Sequence, residues 1–216
     1  MAIVKSLKQA KVEIDARASE GPKGRWLKLD DGQKVKIRFL NELSADSKLY
    51  NDKLGQAIVV AEHTNPKDYR RKALCSMDDE GRCYGCEQNR KDPKAGWKAK
   101  LRFYTNVYVY DQDENYVAIW SQGVGPKSTT TNTISDYDDE TGSITNLVWS
   151  LRRNGTGTQT NYVLIPGAQD ETPFDFGVVD TFDLMKVATR QVAYVDQEGF
   201  YMGLDVDSTA SSSVDW

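Results

Sequence analysis

Short runs in which apolar and polar residues alternate make up much of the chain, and Gly, Asn and Asp residues separate them. This pattern is typical of β-strands joined by tight turns. Residues 26–29, a turn at 30–32 and residues 34–40 predict a hairpin with one apolar and one basic face. Further strands are expected at 57–61, 101–110, 116–120, 144–153, 161–165 and 191–194. Short strands with tight turns favour a barrel or a sandwich.

Helical patterns are few, and they predict helices in three parts of the chain. They occur near the N-terminus, at 128–134 and at 181–188, where Thr181 is expected to cap a helix. We divide the chain into an N-terminal arm or helix at 1–23, a β-rich core at 24–204 and a tail at 205–216. An insert at about 63–100 is too polar to fold around a core of its own. The small, polar, acidic tail is expected to be disordered.

The composition favours a soluble protein and excludes several classes of enzyme. With 39% hydrophobic residues and 28% charged residues, the 216-residue chain has enough apolar material for a core and too little for a membrane span. Lys5, Lys8 and Lys11 interrupt the apolar N-terminal residues, which argues against a signal peptide and for a cytosolic protein. His63 is the single histidine, and no nucleophile-elbow, phosphate-loop or dinucleotide motif is present. We therefore expect a protein that is not an enzyme.

Charge is distributed unevenly along the chain, although the formal net charge is only −4. Residues 1–59 carry 12 basic and 8 acidic side chains, residues 60–102 carry 11 and 7, and residues 103–216 carry 5 and 17. A basic first half beside an acidic second half is typical of a nucleic-acid-binding surface next to a repelling or regulatory tail. The alternative is that both halves are simply solvated faces.

Four residues in one short window predict a metal site. His63, Cys75, Cys83 and Cys86 follow the spacing H-x11-C-x7-C-x2-C, and Gly85 relaxes the turn between the last two cysteines. Two thiolates separated by two residues can point at one ion, and the third cysteine and the histidine complete a closed Cys3His set. A closed site is structural, and zinc fits this donor set best. The alternatives are a C-x-x-C redox pair and residues without any metal or redox role.

Basic residues alternate with aromatic residues around and after these cysteines. Phosphates require cations and unstacked bases require ring faces, so this mixture favours single-stranded nucleic acid bound with little sequence preference. On the strand at 101–110, alternation predicts that Tyr104, Tyr108 and Tyr110 share one face with Arg102. The predicted contact residues are Arg38, Tyr69, Arg70, Arg71, Lys72, Tyr84, Arg90, Lys91, Lys94, Trp97, Lys98, Lys100, Arg102, Tyr104, Tyr108, Tyr110, Arg152 and Arg153. The alternative for each ring is packing within the sheet.

Three passages together resemble the zinc-containing single-stranded DNA-binding (helix-destabilising) proteins of tailed phages. They are the predicted hairpin at 24–40, the ligand set from His63 to Cys86 and the aromatic strand from Phe103 to Tyr110. The resemblance implies a mainly β OB-fold barrel with an inserted zinc-binding subdomain, one structural Zn²⁺ and a few short helices. It also implies a groove that holds single-stranded DNA during replication, recombination and repair in the cytoplasm of an infected bacterial host.

The two ends of the chain carry further expectations from this resemblance. In the family a basic N-terminal arm supports cooperative binding, and here only Lys5, Lys8 and Lys11 can do so, which implies weak self-association along DNA. The tail residues expected to recruit replication or recombination proteins are Asp205, Asp207, Asp215 and Trp216. The alternative is a disordered terminus without a partner. The chain is also shorter than the T-even phage relative, with a shorter spacing between its second and third ligands.

Two rival functions are open. A zinc-stabilised transcription, assembly or replication accessory factor would use its OB-type barrel to bind another protein. A carboxylate-metal nuclease would use the acidic cluster Asp136, Asp138, Asp139 and Glu140, which reads more simply as a solvated turn before Gly142.

Overall fold

The computed structural model describes residues 25–169 and 174–204 of the chain. The strands are β1 (Lys34–Phe39), β2 (Ile58–Asn65), β3 (Asp68–Leu74), β4 (Lys100–Tyr110), β5 (Tyr116–Gly123), β6 (Leu147–Asn154) and β7 (Asn161–Gln169). The α-helices are α1 (Met77–Glu80), α2 (Tyr84–Lys91), α3 (Thr129–Thr141), α4 (Leu184–Ala188) and α5 (Tyr194–Tyr201), with short 3-10 helices at Gly157–Gln159 and Phe176–Val178. The predicted mainly β class with a few short helices is confirmed. The predicted arm at 1–23 and tail at 205–216 lie outside the described residues.

The strands form a single antiparallel sheet. Its order is β3-β2-β4-β1-β6-β7, and β5 pairs with β4 along most of its length, from Arg102 to Val109. β1 lies at the centre, with Ile37 opposite Val109 of β4 and opposite Trp149 of β6. Within the described ranges no pairing joins β5 to β7, so the sheet is not closed, and α3 packs against both of these strands.

The main hydrophobic core lies on one face of this sheet. Alternation on β1 buries Ile37 and Phe39, and the same period on β6 buries Trp149, as expected for strands with one covered face. The rings of Phe39 and Trp149 meet edge to face, with centroids 5.5 Å apart. Tyr137 on α3 also packs edge to face on Trp149, with ring centroids 4.9 Å apart, so this helix contacts the core.

Several sequence predictions about single elements are wrong. Residues 26–29 do not form a hairpin with β1, because Trp26 forms an isolated parallel bridge with Ile119 and β1 takes its partners from β4 and β6. Residues 191–194 are not a strand but lead into α5. Asp183 rather than Thr181 caps α4, accepting a hydrogen bond from the Lys186 amide. The acidic run at 136–140 forms the end of α3 rather than a turn.

The C-terminal segment, defined as residues 174–204, covers the outer face of β4. At one end Phe174 packs on Tyr108, with ring centroids 5.2 Å apart. In the middle, Leu184 and Ala188 of α4 form a small apolar cluster with Tyr104 and Ile119. At the far end α5 packs on the insert at 63–100. None of the described helices combines the length and apolar sequence needed to cross a bilayer.

Candidate metal centre and nucleic-acid surface

The four predicted ligands come together from three local elements. His63 lies on β2, and Cys75 directly follows β3, the strand that pairs with β2. Cys83 precedes the first residue of α2 and Cys86 lies in the first turn of that helix, so the C-x-x-C pair turns back on itself. The metal subdomain, residues 63–100, is therefore a hairpin and a short helix that meet at these side chains.

The four ligand atoms lie close enough together to bind one shared ion. The four ligand atoms all lie within 4.8 Å of one another. Cys75 Sγ is 3.6 Å from Cys86 Sγ, and Cys86 Sγ is 3.3 Å from His63 Nε2. Ligands at usual zinc bond lengths would be about 3.8 Å apart for two sulfur atoms and about 3.5 Å apart for sulfur and nitrogen. The cluster can thus hold a metal ion.

The imidazole of His63 is oriented for ligation. Its Nδ1 is 2.6 Å from the Trp97 carbonyl oxygen, which can only accept, so Nδ1 carries the proton and donates. Nε2 is then the atom that faces the three sulfur atoms. A second hydrogen bond of this kind, which fixes the tautomer and the ring orientation, is usual for histidine ligands.

Gly85 makes room for that ring. A Cβ atom at this position would lie 2.3 Å from His63 Cγ and 2.6 Å from Nδ1. Gly85 is not among the glycines with positive φ. Its role is therefore close packing against the ligand, and the prediction that it relaxes the turn through backbone freedom is wrong.

Substitution of Gly85 by alanine is expected to push His63 away from the sulfur atoms. We expect metal affinity to fall about 10-fold to about 100-fold, the range seen when groups that orient a ligand are changed. Competition with a chromophoric chelator measures this change. Gly125→Ala, where an added Cβ meets nothing within 4 Å, is the matched control. Equal metal affinity of the two variants would show that the ring tolerates the methyl group.

The three sulfur atoms lie close together, and a bound cation would offset the repulsion between their thiolates. Burial raises the pKa of Cys75, and burial together with hydrogen bonding to Cys75 raises the pKa of Cys86 to about 12. Burial acts in the same direction on Cys83, but its hydrogen bond with His63 and hydrogen bonds with the backbone outweigh burial and lower the pKa of Cys83 to about 6. A bound cation replaces the protons that the crowded thiols otherwise hold.

The C-terminal segment supports the metal subdomain, which the sequence did not indicate. Gln197 of α5 is fully buried, accepts a hydrogen bond from the Tyr84 amide and donates to Ser76 Oγ, which lies next to Cys75. The Tyr201 hydroxyl donates to the carbonyl oxygen of His63. A small apolar core therefore lies between the insert and the C-terminal segment, and α5 supplies Phe200 and Tyr201 to it.

Most of the predicted cations of the metal subdomain lie on its surface. The side chain of Arg70 is 94% exposed, and Tyr69 beside it is 81% exposed. Arg90 and Lys91 lie in the last turn of α2. The other exposed cations are Lys94, Lys98 and Lys100. Arg71 donates hydrogen bonds to the carbonyl oxygens of Gly203 and Leu204, so it contacts the C-terminal segment.

Three predicted stacking rings, Tyr84, Trp97 and Tyr104, pack against other parts of the protein, and Tyr104 alone of the three is fully buried. Tyr84, Trp97 and Tyr201 form one cluster, with the Trp97 and Tyr201 centroids 5.0 Å apart. Tyr104 is fully buried under α4, and its hydroxyl donates to Glu62. Packing therefore accounts for Tyr104, whereas contact of the partly buried Tyr84 and Trp97 with nucleic acid stays a prediction.

The other two predicted tyrosines belong to a ring cluster, defined as Tyr108, Tyr110, Phe174 and Phe176. All four rings are half-buried, and neighbouring centroids lie 5.0 to 5.2 Å apart. Phe174 and Phe176 were not predicted, because only the fold brings residues 174–176 back to β4.

Exposed cations surround the ring cluster on the same sheet face. The register places Lys36 opposite Tyr110 and Lys34 opposite Arg152, and all three cations are exposed. Arg38, by contrast, is 3% exposed and donates to the Thr145 carbonyl oxygen. Arg153 donates to the carbonyl oxygen of Leu29, so both of these arginines have contacts within the fold.

Comparison with known proteins finds no matching family model, no matching curated protein and no matching solved structure. The resemblance drawn from the sequence stays a prediction. The features that indicate a function are therefore the metal centre and two charged surfaces, the exposed cations of the metal subdomain and those around the ring cluster.

Those surfaces lie at opposite ends of β4. The metal subdomain joins the sheet near Lys100, and the ring cluster lies at Tyr108 and Tyr110. Eight residues of strand correspond to about 27 Å. Between them α4 covers Tyr104, so a ligand that reached both surfaces would pass beside this helix.

Proposed function

We propose that the protein binds single-stranded nucleic acid and that it is not an enzyme. The observation that carries the proposal is the sheet face where the ring cluster lies beside Lys34, Lys36 and Arg152. Half-exposed rings accept stacked bases, and nearby cations accept the phosphates between them. The exposed cations of the metal subdomain extend this charge to the other end of β4.

The metal in the Cys3His cluster is proposed to be one structural zinc ion. Three sulfur atoms and one imidazole within 4.8 Å of one another form a four-ligand donor set that suits zinc and would leave no position for a substrate. The ion would tie β2, the end of β3 and α2 together, and it would hold the exposed cations of this subdomain in one arrangement. Chemical analysis of the purified protein for bound metal tests the identity and the stoichiometry.

We also propose that the main sheet is an OB-fold. β1 pairs with β4 and β6, β4 pairs with β5, β6 pairs with β7, and α3 lies between β5 and β6 in the chain. A five-stranded, partly open Greek-key barrel has this order. The β2–β3 hairpin and the metal subdomain would then be an insertion between its first two strands.

Binding to a fluorescently labelled oligo-dT strand tests the proposed function. We expect the affinity for the single strand to exceed that for a duplex of the same length, because duplex bases offer no free faces. The logarithm of the affinity should fall with the logarithm of salt concentration by about 0.7 for each phosphate neutralised. Equal affinity for duplex and single strand would contradict the proposal.

The biological process and the cellular location proposed for this activity rest only on the sequence resemblance to the phage single-stranded DNA-binding proteins. They comprise phage DNA replication, recombination and repair in the host cytoplasm and recruitment of replication proteins by the tail. Asp205, Asp207, Asp215 and Trp216 lie outside the described residues. Weak self-association along DNA, expected from Lys5, Lys8 and Lys11, depends on residues that are also outside them.

A protein partner is a second candidate function because of the exposed apolar side chains at the end of the C-terminal segment. Val195, Met202 and Leu204 are 83%, 69% and 64% exposed. Oligo-dT binding separates the two candidates, since an accessory factor acting through protein contacts requires no affinity for the strand.

A further inference from the structure

A buried carboxylate lies where the metal subdomain joins the main sheet. Glu62 on β2 is 3% exposed and directly precedes the ligand His63. Its Oε1 accepts a hydrogen bond of 2.8 Å from the hydroxyl of Tyr104. Its Oε2 lies 3.1 Å from Lys72 Nζ and 3.8 Å from Arg102 Nε.

The two cations come from different parts of the fold and remain open to solvent. Lys72 belongs to β3 of the metal subdomain, and Arg102 belongs to β4 of the main sheet. About a third of each side chain is exposed, 33% for Lys72 and 38% for Arg102, whereas the carboxylate beneath them is covered. Tyr104 completes the group, because Lys72 Nζ donates to its hydroxyl at 2.6 Å. One carboxylate and two cations leave a net positive charge facing outward.

Two cations that share one carboxylate oxygen are held together, unlike two separate cations on a protein surface. Without the carboxylate, Lys72 and Arg102 would repel each other, and their long side chains would separate in solvent. The covered carboxylate keeps them together and loses little to screening, because it is not exposed to salt. A neighbouring pair of this kind matches a phosphate group, whose oxygens accept from an arginine fork and from a lysine at once.

We propose that Lys72 and Arg102 form one subsite for a backbone phosphate and that Glu62 is its positioning residue. This inference rests on the proposed single-strand binding and names one of its contacts. In this subsite the metal subdomain contacts the nucleic acid directly, because Lys72 belongs to that subdomain. Lys72 lies opposite Thr64, the residue after His63. Glu62 itself touches no phosphate and acts through the two cations.

The Glu62→Gln variant separates this role from a simple effect of charge. Removing a negative charge from a basic surface would by itself strengthen nucleic-acid binding. The positioning role predicts the opposite, an affinity for oligo-dT lower by about tenfold and a salt slope smaller by about 0.7, the value for one lost phosphate contact. The glutamine keeps the size of the side chain and an acceptor for Tyr104. Metal content measured on the same samples reports whether the neighbouring centre is intact.

Asp68→Asn is the matched control. It removes the same charge from the same hairpin, but at an exposed pair in which the side chains of Arg70 and Asp68 are 94% and 41% exposed. We expect unchanged or slightly tighter binding and an unchanged salt slope. If Glu62→Gln gives the same result as Asp68→Asn, the positioning role is refuted.

Lys72→Gln, Arg102→Gln and the double variant test the subsite even if Glu62→Gln fails to fold. One shared phosphate predicts that the double variant loses no more salt slope than either single variant, about 0.7. Two independent contacts would make the losses add, which would overturn the subsite. Failure of the unaltered protein to bind oligo-dT overturns both the subsite and the proposed function, whereas binding with additive losses overturns the subsite alone.

Discussion

Removal of the proposed structural metal ion is expected to release the metal subdomain from its single arrangement and to weaken oligo-dT binding by more than about tenfold. A Cys3His site contributes binding free energy on the order of 10 kcal/mol to folding. The local apolar core is small, consisting of Ala73, Val192, Phe200 and Tyr201 with two partly buried rings against it. The main core is a separate cluster on β1, β4 and β6, so we expect it to persist. Hydrogen exchange before and after chelation measures both parts at once, and a binding titration measures the affinity.

Cys86→Ser provides the same test without a chelator. Serine removes one of the three sulfur ligands, and the amides of residues 63–100 should lose protection while those of β1 and β6 keep it. Asn89→Ser is the control, because it changes the same helix three residues further along without removing a ligand. Full oligo-dT affinity after verified loss of the metal would show that the ion does not organise the binding surface.

The ligand set was predictable because its information is local. Cys83 and Cys86 lie within one helical turn. His63 lies on β2, and Cys75 directly follows β3, the other strand of the same hairpin. The four ligands are thus close in sequence, and their spacing was enough to indicate the cluster. The role of Gly85 was not predictable. It depends on the position of the His63 ring over the helix, which the sequence spacing does not define.

The support from the C-terminal segment could not be read from the sequence, because it is a contact between residues far apart in the chain. Gln197 reaches Ser76 across more than a hundred residues, and nothing in the pattern at 194–201 marks that glutamine as buried. The insert was expected to be too polar to fold around a core of its own, and the sequence did not show which distant segment would complete one. Its polar composition is real, but the apolar partners come from α5.

The alternation on β4 predicted which rings share a face but not which of them are covered. Tyr104, Tyr108 and Tyr110 do lie on the face opposite the main core. α4 then buries Tyr104, whereas residues 174–176 add two further rings beside Tyr108. Local periodicity defines a face, and the path of a distant segment decides what remains exposed on it.

Substitution of Tyr108 by leucine is expected to weaken oligo-dT binding by about 5-fold to about 150-fold. This range corresponds to about 1–3 kcal/mol for one stacked base. Tyr108 lies between Tyr110 and Phe174 in the ring cluster, so its loss also removes the ring against which both neighbours pack. The salt slope should stay the same, because no phosphate contact is lost. A titration at several salt concentrations, followed by tryptophan and tyrosine fluorescence, measures both quantities.

Tyr50→Leu is the matched control for this substitution, since Tyr50 lies in the connection between β1 and β2 and has a similar partial exposure. It makes the same chemical change away from the ring cluster and should leave the affinity unaltered. Phe174→Leu should weaken binding in the same direction as Tyr108→Leu, because both rings belong to the proposed stacking surface. If both cluster variants fold and keep full affinity, the ring cluster does not contribute to binding, and the proposed function loses its main support. The Phe174 contact would then be only packing of the C-terminal segment.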